Sequence, residues 1–130
     1  MPDIEGPMVL YVEDEPLIQT LGVEALAEAG FEVCTVSSGR EAVAELDTRG
    51  EAFRALVTDI DLGSQTNGWE VAKHARERFP DMPVVYVSGG SANDWPSMGV
   101  PGSVMLVKPY AAGQLVVAVS NVMLPTEPHT

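Results

Sequence analysis

Four short apolar runs in this chain end in residues able to do chemistry. Met8-Val9-Leu10-Tyr11-Val12 leads into Glu13 and Asp14, and Ala55-Leu56-Val57-Thr58 leads into Asp59. Val84-Val85-Tyr86-Val87 leads into Ser88, and Val104-Met105-Leu106-Val107 into Lys108. Any one of these polar residues could be a helix cap or a solvated loop residue. Brought together, three carboxylates, a hydroxyl and an ammonium group would form an anionic, oxygen-rich site. Clustered carboxylates stay ionised together only when a cation joins them. Hard oxygen donors in a compact site suit Mg²⁺ (or Mn²⁺), which takes one or two carboxylates together with waters and phosphate oxygens. Once metal and ammonium neutralise the incoming group, a carboxylate at a strand tip can attack phosphorus. A hydroxyl and a lysine can then hold the phosphoryl oxygens. Lys73 and Lys108 are the two lysines of the chain. Lys108, set between an apolar run and Pro109, reads as a site residue in preference to a solubilising charge.

The elements that must position these residues alternate in kind. Continuous apolar runs mark strands buried on both faces, at Met8–Val12, Glu32–Val36, 55–59, Val84–Ser88 and Val104–Val107. Between them lie amphipathic stretches. Pro16 opens a helix carrying Leu17, Ile18, Leu21, Val23, Leu26 and Ala29 at helical spacing, with Gly30 as its stop. Ser38 with Glu41 resembles a capping box for a helix over Gly39–Arg49. A polar loop after Asp59 precedes a helix over 68–79, and a last helix spans 111–124. Residues 89–102 hold four glycines and two prolines, so any helix there is short and irregular. Strand–helix alternation of this kind predicts an α/β fold, a three-layer (βα)₅ sandwich with a parallel sheet and a degenerate fourth helix. Ligands of such sheets bind outside the carboxyl ends of the strands. Residues 1–7 read as an N-terminal extension, 8–124 as the domain, and 125–130 as a tail.

Composition narrows the classes of partner. Nineteen acidic residues against seven basic ones give a net charge of −12. That balance argues against nucleic acid as a direct partner and against docking on an anionic membrane. No apolar run approaches the ~20 residues that span a bilayer, and the acidic, proline-bearing N-terminus is unlike a signal peptide. Cys34 is the only cysteine, so the expected compartment is the cytoplasm. Trp69 reads as packing and His74 as surface. Trp95 reads as either packing or an exposed contact.

In order and spacing, these segments resemble response-regulator receiver domains. Leu10-Tyr11-Val12-Glu13-Asp14-Glu15-Pro16 is similar to their first strand with its acidic pair, and Leu56-Val57-Thr58-Asp59-Ile60-Asp61-Leu62 to the acceptor strand. Val85-Tyr86-Val87-Ser88-Gly89 resembles the strand bearing the switch hydroxyl, and Val107-Lys108-Pro109-Tyr110 the lysine–proline–aromatic turn. The resemblance covers residues 8–124 and implies a flavodoxin-like strand order 2-1-3-4-5. It implies Asp59 as phosphoacceptor, with Glu13, Asp14, Asp59 and the backbone carbonyl of Asp61 as metal ligands. Ser88 and Lys108 would hold the phosphoryl oxygens. The implied donor is a sensor histidine kinase or a histidine phosphotransfer protein. The implied activity is self-phosphorylation followed by slow autodephosphorylation, with output through a downstream protein target.

The chain also departs from the family pattern. Leu62-Gly63 stands where a Met-Pro pair is common, and the loop between Asp59 and Gly68 is one residue longer. Met105 occupies the usual position of an aromatic switch. The expected output segment therefore centres on Gly89, Gly90 and Trp95, with Met105 and Tyr110 beside it. Two other readings remain open at this stage. One is a receiver-like adaptor that is not phosphorylated; the other is a small haloacid-dehalogenase-type phosphatase using Asp59 and Asp61.

Overall fold

The computed structural model describes residues 6–63 and 66–124. The expected extension and tail fall largely outside the described residues, as does part of the loop after Asp59. Five parallel strands, β1 (Met8–Val12), β2 (Glu32–Val36), β3 (Phe53–Asp59), β4 (Val84–Ser88) and β5 (Val104–Val107), form one sheet in the order β2-β1-β3-β4-β5. This is the flavodoxin-like order that the family resemblance implied. β3 begins two residues earlier than the apolar run suggested, because Phe53 pairs with Met8 across a register shift.

The apolar runs split cleanly by parity, as a pleated strand demands. Val9, Tyr11, Ala55, Val57, Val85 and Val87 face one way, toward Leu26 of α1 (Pro16–Glu28) and Leu115 and Val119 of α5 (Ala112–Val122). Leu10, Val12, Leu56, Val84 and Tyr86 face the other way, toward α2 (Gly39–Arg49) and α3 (Gly68–Arg78). The three central strands are buried throughout apart from Met8 and Arg54, whereas β2 and β5, at the edges, are only partly covered. On α1 the helical spacing holds, but Leu17 and Leu21 remain exposed at 70% and 56%. Only part of that apolar face meets the sheet.

Local signals fix the helix starts. Ser38 Oγ accepts from Glu41 N at 3.1 Å, the forward half of the expected capping box. The return bond lands one residue early, with Ser37 N donating to Glu41 Oε1 at 2.9 Å. A reciprocal box caps α3 instead: Asn67 Oδ1 accepts from Glu70 N at 3.0 Å, and Asn67 N donates to Glu70 Oε1 at 2.9 Å. The segment after β4 forms a 3-10 turn (Ala92–Asp94) and a four-residue α4 (Trp95–Met98), as short as its glycines and prolines implied.

The start of α3 passes directly against the acceptor strand. Gly68 N donates to Ile60 O at 2.9 Å, and a Cβ at Gly68 would collide with the backbone oxygen of Asp59. The obstacle is backbone, so no side-chain rotation relieves it. Gly68→Ala is therefore expected to lower the unfolding free energy by about 1–3 kcal/mol, the usual range for overpacking, despite alanine's better helix propensity. Urea denaturation measures this, and a neutral or stabilising result would show that α3 can shift away from the strand.

Candidate functional site

Strand register brings the site together. β1 and β3 pair with Val12 opposite Thr58, so Glu13 and Asp59 leave the sheet side by side. β3 and β4 pair with Asp59 opposite Val87, one residue before Ser88. Ser88 in turn lies opposite Val107, one residue before Lys108. Residues distant in sequence thus reach the carboxyl edge of three central strands and one edge strand at nearly one level.

At that edge Lys108 Nζ donates to Asp59 Oδ2 at 3.0 Å and lies 3.5 Å from Glu13 Oε1. Both acids are almost completely buried, while Asp14 beside them is exposed. Glu13 is anchored at several points. Its N–H donates to Val36 O at 3.1 Å, its Oε2 accepts from Glu15 N at 3.2 Å, and its carbonyl accepts from Gln19 Nε2 at 2.9 Å. Burial, and then the Asp59 charge, push the Glu13 carboxyl up to about 7, against the opposing pull of Lys108. Burial alone would lower the Lys108 ammonium, but hydrogen bonding and charge from Asp59 and Glu13 outweigh it and raise its pKa. The pocket holds more negative charge than one lysine balances.

That imbalance suits a metal ion. Glu13, Asp14 and Asp59 each offer a carboxylate oxygen, and these oxygens lie within 4.8 Å of one another. Hard donors at this spacing, one carboxyl raised toward protonation by burial and by the neighbouring Asp59 charge, fit a small divalent cation that keeps part of its water shell. The loop after β3 closes on this cluster through Gly63, whose φ of 63° is in the left-handed region. A Cβ there would come within 3.2 Å of Asp14 Oδ2. The Leu62-Gly63 departure noted in the sequence therefore brings bare backbone close to the acidic pair.

The remaining expected residues are placed as follows. Ser88 is fully buried, and its Oγ accepts from Ser91 N at 2.8 Å. Asp61 N donates to Asp59 Oδ1 at 3.3 Å, while the Asp61 carboxylate accepts from Ser91 Oγ at 3.2 Å. Lys108–Pro109 is a cis peptide bond, and Tyr110 beyond it packs on the α1–α5 side of the core. Gly89 and Gly90 are exposed, and nothing lies within 4 Å of a Cβ placed at Gly90. Trp95 resolves toward packing: it is half-buried against the core, and its Nε1 donates to Ser103 Oγ at 3.0 Å. Met105 is partly buried against the same core. Tyr86 is fully buried, its Oη accepting from Val100 N at 3.0 Å and its ring 4.8 Å from that of Trp69. It belongs to the core. His74 lies at the rim, 2.7 Å from Asp47 Oδ1. Sequence reasoning passed over Ser91. The available signal was its spacing three residues after Ser88, which lets its N–H bond a serine hydroxyl.

A doubly wound α/β sheet with an acidic, lysine-bridged pocket at its carboxyl edge defines a broad class of fold and site. The comparisons narrow it. The response regulator receiver domain family matches residues 9–120, and the chain belongs to that family, a receiver domain of two-component systems. It is 41% identical to a response regulator receiver protein from Sinorhizobium medicae WSM419, whose crystal structure superimposes with a TM-score of 0.88 over 93% of this chain and 97% of that one. The transcriptional regulatory protein TcrA of Mycobacterium tuberculosis is 34% identical over 114 residues, 86% of this chain but 44% of the relative. The sensor kinase CckA of Brucella abortus is 30% identical over 93% of this chain and 13% of its own length. The chain thus spans less than half the length of these two relatives. The family match favours the receiver reading over the phosphatase one. No helix among the described residues is long and apolar enough to cross a membrane.

Proposed function

We propose that Asp59 takes a phosphoryl group from a phosphohistidine on a sensor histidine kinase or a histidine phosphotransfer protein. A carboxylate oxygen of Asp59 forms the new P–O bond as the P–N bond to the donor breaks. The electron pair of that bond leaves on the imidazole, which takes a proton from solvent. The observation that carries this reading is Lys108 Nζ, held between Asp59 and Glu13 where incoming phosphoryl oxygens need positive charge. Ser88 donates to one phosphoryl oxygen and Lys108 to another. Glu13, Asp14, Asp59 and the backbone carbonyl of Asp61 would hold Mg²⁺ (or Mn²⁺), which would supply charge neutralisation when bound. The resemblance of the CckA segment supports a kinase as donor. The net charge of −12 supports output through a protein partner over direct contact with nucleic acid. The segment 89–102, with Trp95 and the adjoining Met105 and Tyr110, is the proposed output region.

Incubation with acetyl phosphate and Mg²⁺, followed by intact-mass measurement, tests the reading. The expected result is the mass gain of one phosphoryl group, mapped to Asp59 and abolished by excess chelator. Labelling that persists in chelator would remove the metal from the mechanism. Mg²⁺ alone is expected to raise the melting temperature, because a ligand that binds only the folded state stabilises it by about 2.7 kcal/mol at a concentration about a hundredfold over its Kd. Asp14→Ala is expected to lose most of that gain. Asp14 is exposed, so its replacement should leave the metal-free protein intact. An undiminished Mg²⁺ shift in this variant would place the ion elsewhere.

A further inference from the structure

Two loops flank the acceptor, and one serine joins them. Ser91 Oγ donates to Asp61 Oδ1 at 3.2 Å, with Oδ2 at 3.5 Å, and Ser91 N donates to Ser88 Oγ at 2.8 Å. Asp61 N in turn donates to Asp59 Oδ1 at 3.3 Å. Hydrogen bonds therefore run from the acceptor carboxylate, through Asp61 and Ser91, to the hydroxyl of Ser88. A serine hydroxyl has one proton and two lone pairs. The Ser91 N–H occupies a lone pair of Ser88, fixing the oxygen while leaving its proton free to point toward a new anion. Gly89 and Gly90, which separate the two serines, bring no side chain to hold the stretch. The Ser91–Asp61 bond ties it to the opposite loop.

We propose that Ser91 is a positioning residue: by clasping Asp61 it holds the Ser88 hydroxyl in register with a phosphoryl group on Asp59 and slows that group's hydrolysis. The inference rests on Asp59 being the acceptor. In the step that is slowed, water adds to phosphorus and the P–O bond to Asp59 breaks. The carboxylate re-forms and the phosphate leaves carrying the protons of the water. With the clasp in place, Ser88 keeps its bond to the phosphoryl oxygen and the two loops stay together over the site. Without it, the β4–α4 loop opens and water enters more often.

Three variants test this in the full chain. Ser91→Ala removes the hydroxyl but keeps the N–H, Ser91→Thr keeps both, and Asp61→Ala removes the other end of the clasp. Each protein is labelled with acetyl phosphate and Mg²⁺, freed of donor, and followed by intact mass. Ser91→Ala is expected to lose the label roughly three- to tenfold faster, the scale of one modest, partly exposed hydrogen bond. Ser91→Thr should decay at close to the wild-type rate. The Ser91→Ala/Asp61→Ala double variant should decay no faster than Asp61→Ala alone, because partners in one bond are not additive. In the unlabelled, metal-free protein, amides of residues 89–94 should exchange faster in Ser91→Ala than in Ser91→Thr. Equal label lifetimes in Ser91→Ala and the wild type overturn the clasp while leaving the acceptor in place. A wild type that takes no label overturns the acceptor reading and the clasp with it.

Discussion

Asp59→Asn is expected to eliminate the phosphoryl adduct altogether. The amide keeps the shape of the side chain but lacks the negative charge that makes a carboxylate oxygen nucleophilic enough to form the P–O bond. Neighbouring carboxylates are poorly placed to substitute. Glu13 is buried and bonded to the Glu15 amide, and Asp61 is held by Ser91. The same change should alter the electrostatics of the metal-free protein. Asp59 is the second-largest cause, after burial, of the raised Glu13 pKa of about 7. Asp59→Asn should therefore bring Glu13 down toward its ordinary range and weaken Mg²⁺ binding by turning one of the three clustered carboxylates into a neutral amide. NMR titration of the Glu13 carboxyl in chelator reads the first effect, and intact mass after acetyl phosphate reads the loss of adduct. An adduct of equal yield in Asp59→Asn would move the acceptor elsewhere, with Asp61 the first residue to examine.

The sequence carried the fold in the period and length of its apolar runs. Five continuous runs separated by amphipathic stretches indicated a parallel α/β sheet, and the observed strand order is the one the family resemblance implied. The site was legible for a related reason: chemistry sits at the ends of those runs, and parallel strands put all their carboxyl ends on one edge. Relations that depend on loop geometry were harder to read. Ser91 lies in a stretch with no periodicity, and its bond to Asp61 crosses 30 residues. Asn67 looked like part of a polar loop until its reciprocal bonds with Glu70 made it a cap. Trp95 was ambiguous because it sits in the irregular segment before Pro96. Glycine at 99 in fact lets the indole lie against the backbone and reach Ser103. The partial exposure of α1 was hidden for a different reason: helical spacing defines a stripe, but the width of the sheet decides how much of it is covered.

Lys108→Met is expected to destabilise the metal-free protein strongly, and in a pH-dependent way. Methionine keeps most of the apolar stem of the side chain, so the change isolates the ammonium group. Removing one partner of a buried ionic pair leaves uncompensated charge and costs about 3–5 kcal/mol. Here two carboxylates are left, Glu13 at 1% and Asp59 at 4% exposure. Glu13 offers a way out, because its folded pKa is raised from 4.5 to about 7 and Lys108 is the main influence pulling it down. A carboxyl whose folded pKa lies above its unfolded one adds stability that is complete below pH 4.5 and is lost as pH rises through about 7. Without Lys108, the folded pKa of Glu13 should rise further and the window should extend to higher pH. The variant should therefore lose less stability at about pH 5, where Glu13 is neutral in the folded state, than at about pH 8, while the loss of the 3.0 Å Lys108–Asp59 bond is felt at both. Mg²⁺ should restore part of the loss at the higher pH, since it supplies positive charge to the same oxygens. Urea denaturation at both pH values, in chelator and in Mg²⁺, measures all three effects. A penalty of equal size at both pH values would mean that Lys108 and Glu13 do not act as one electrostatic unit.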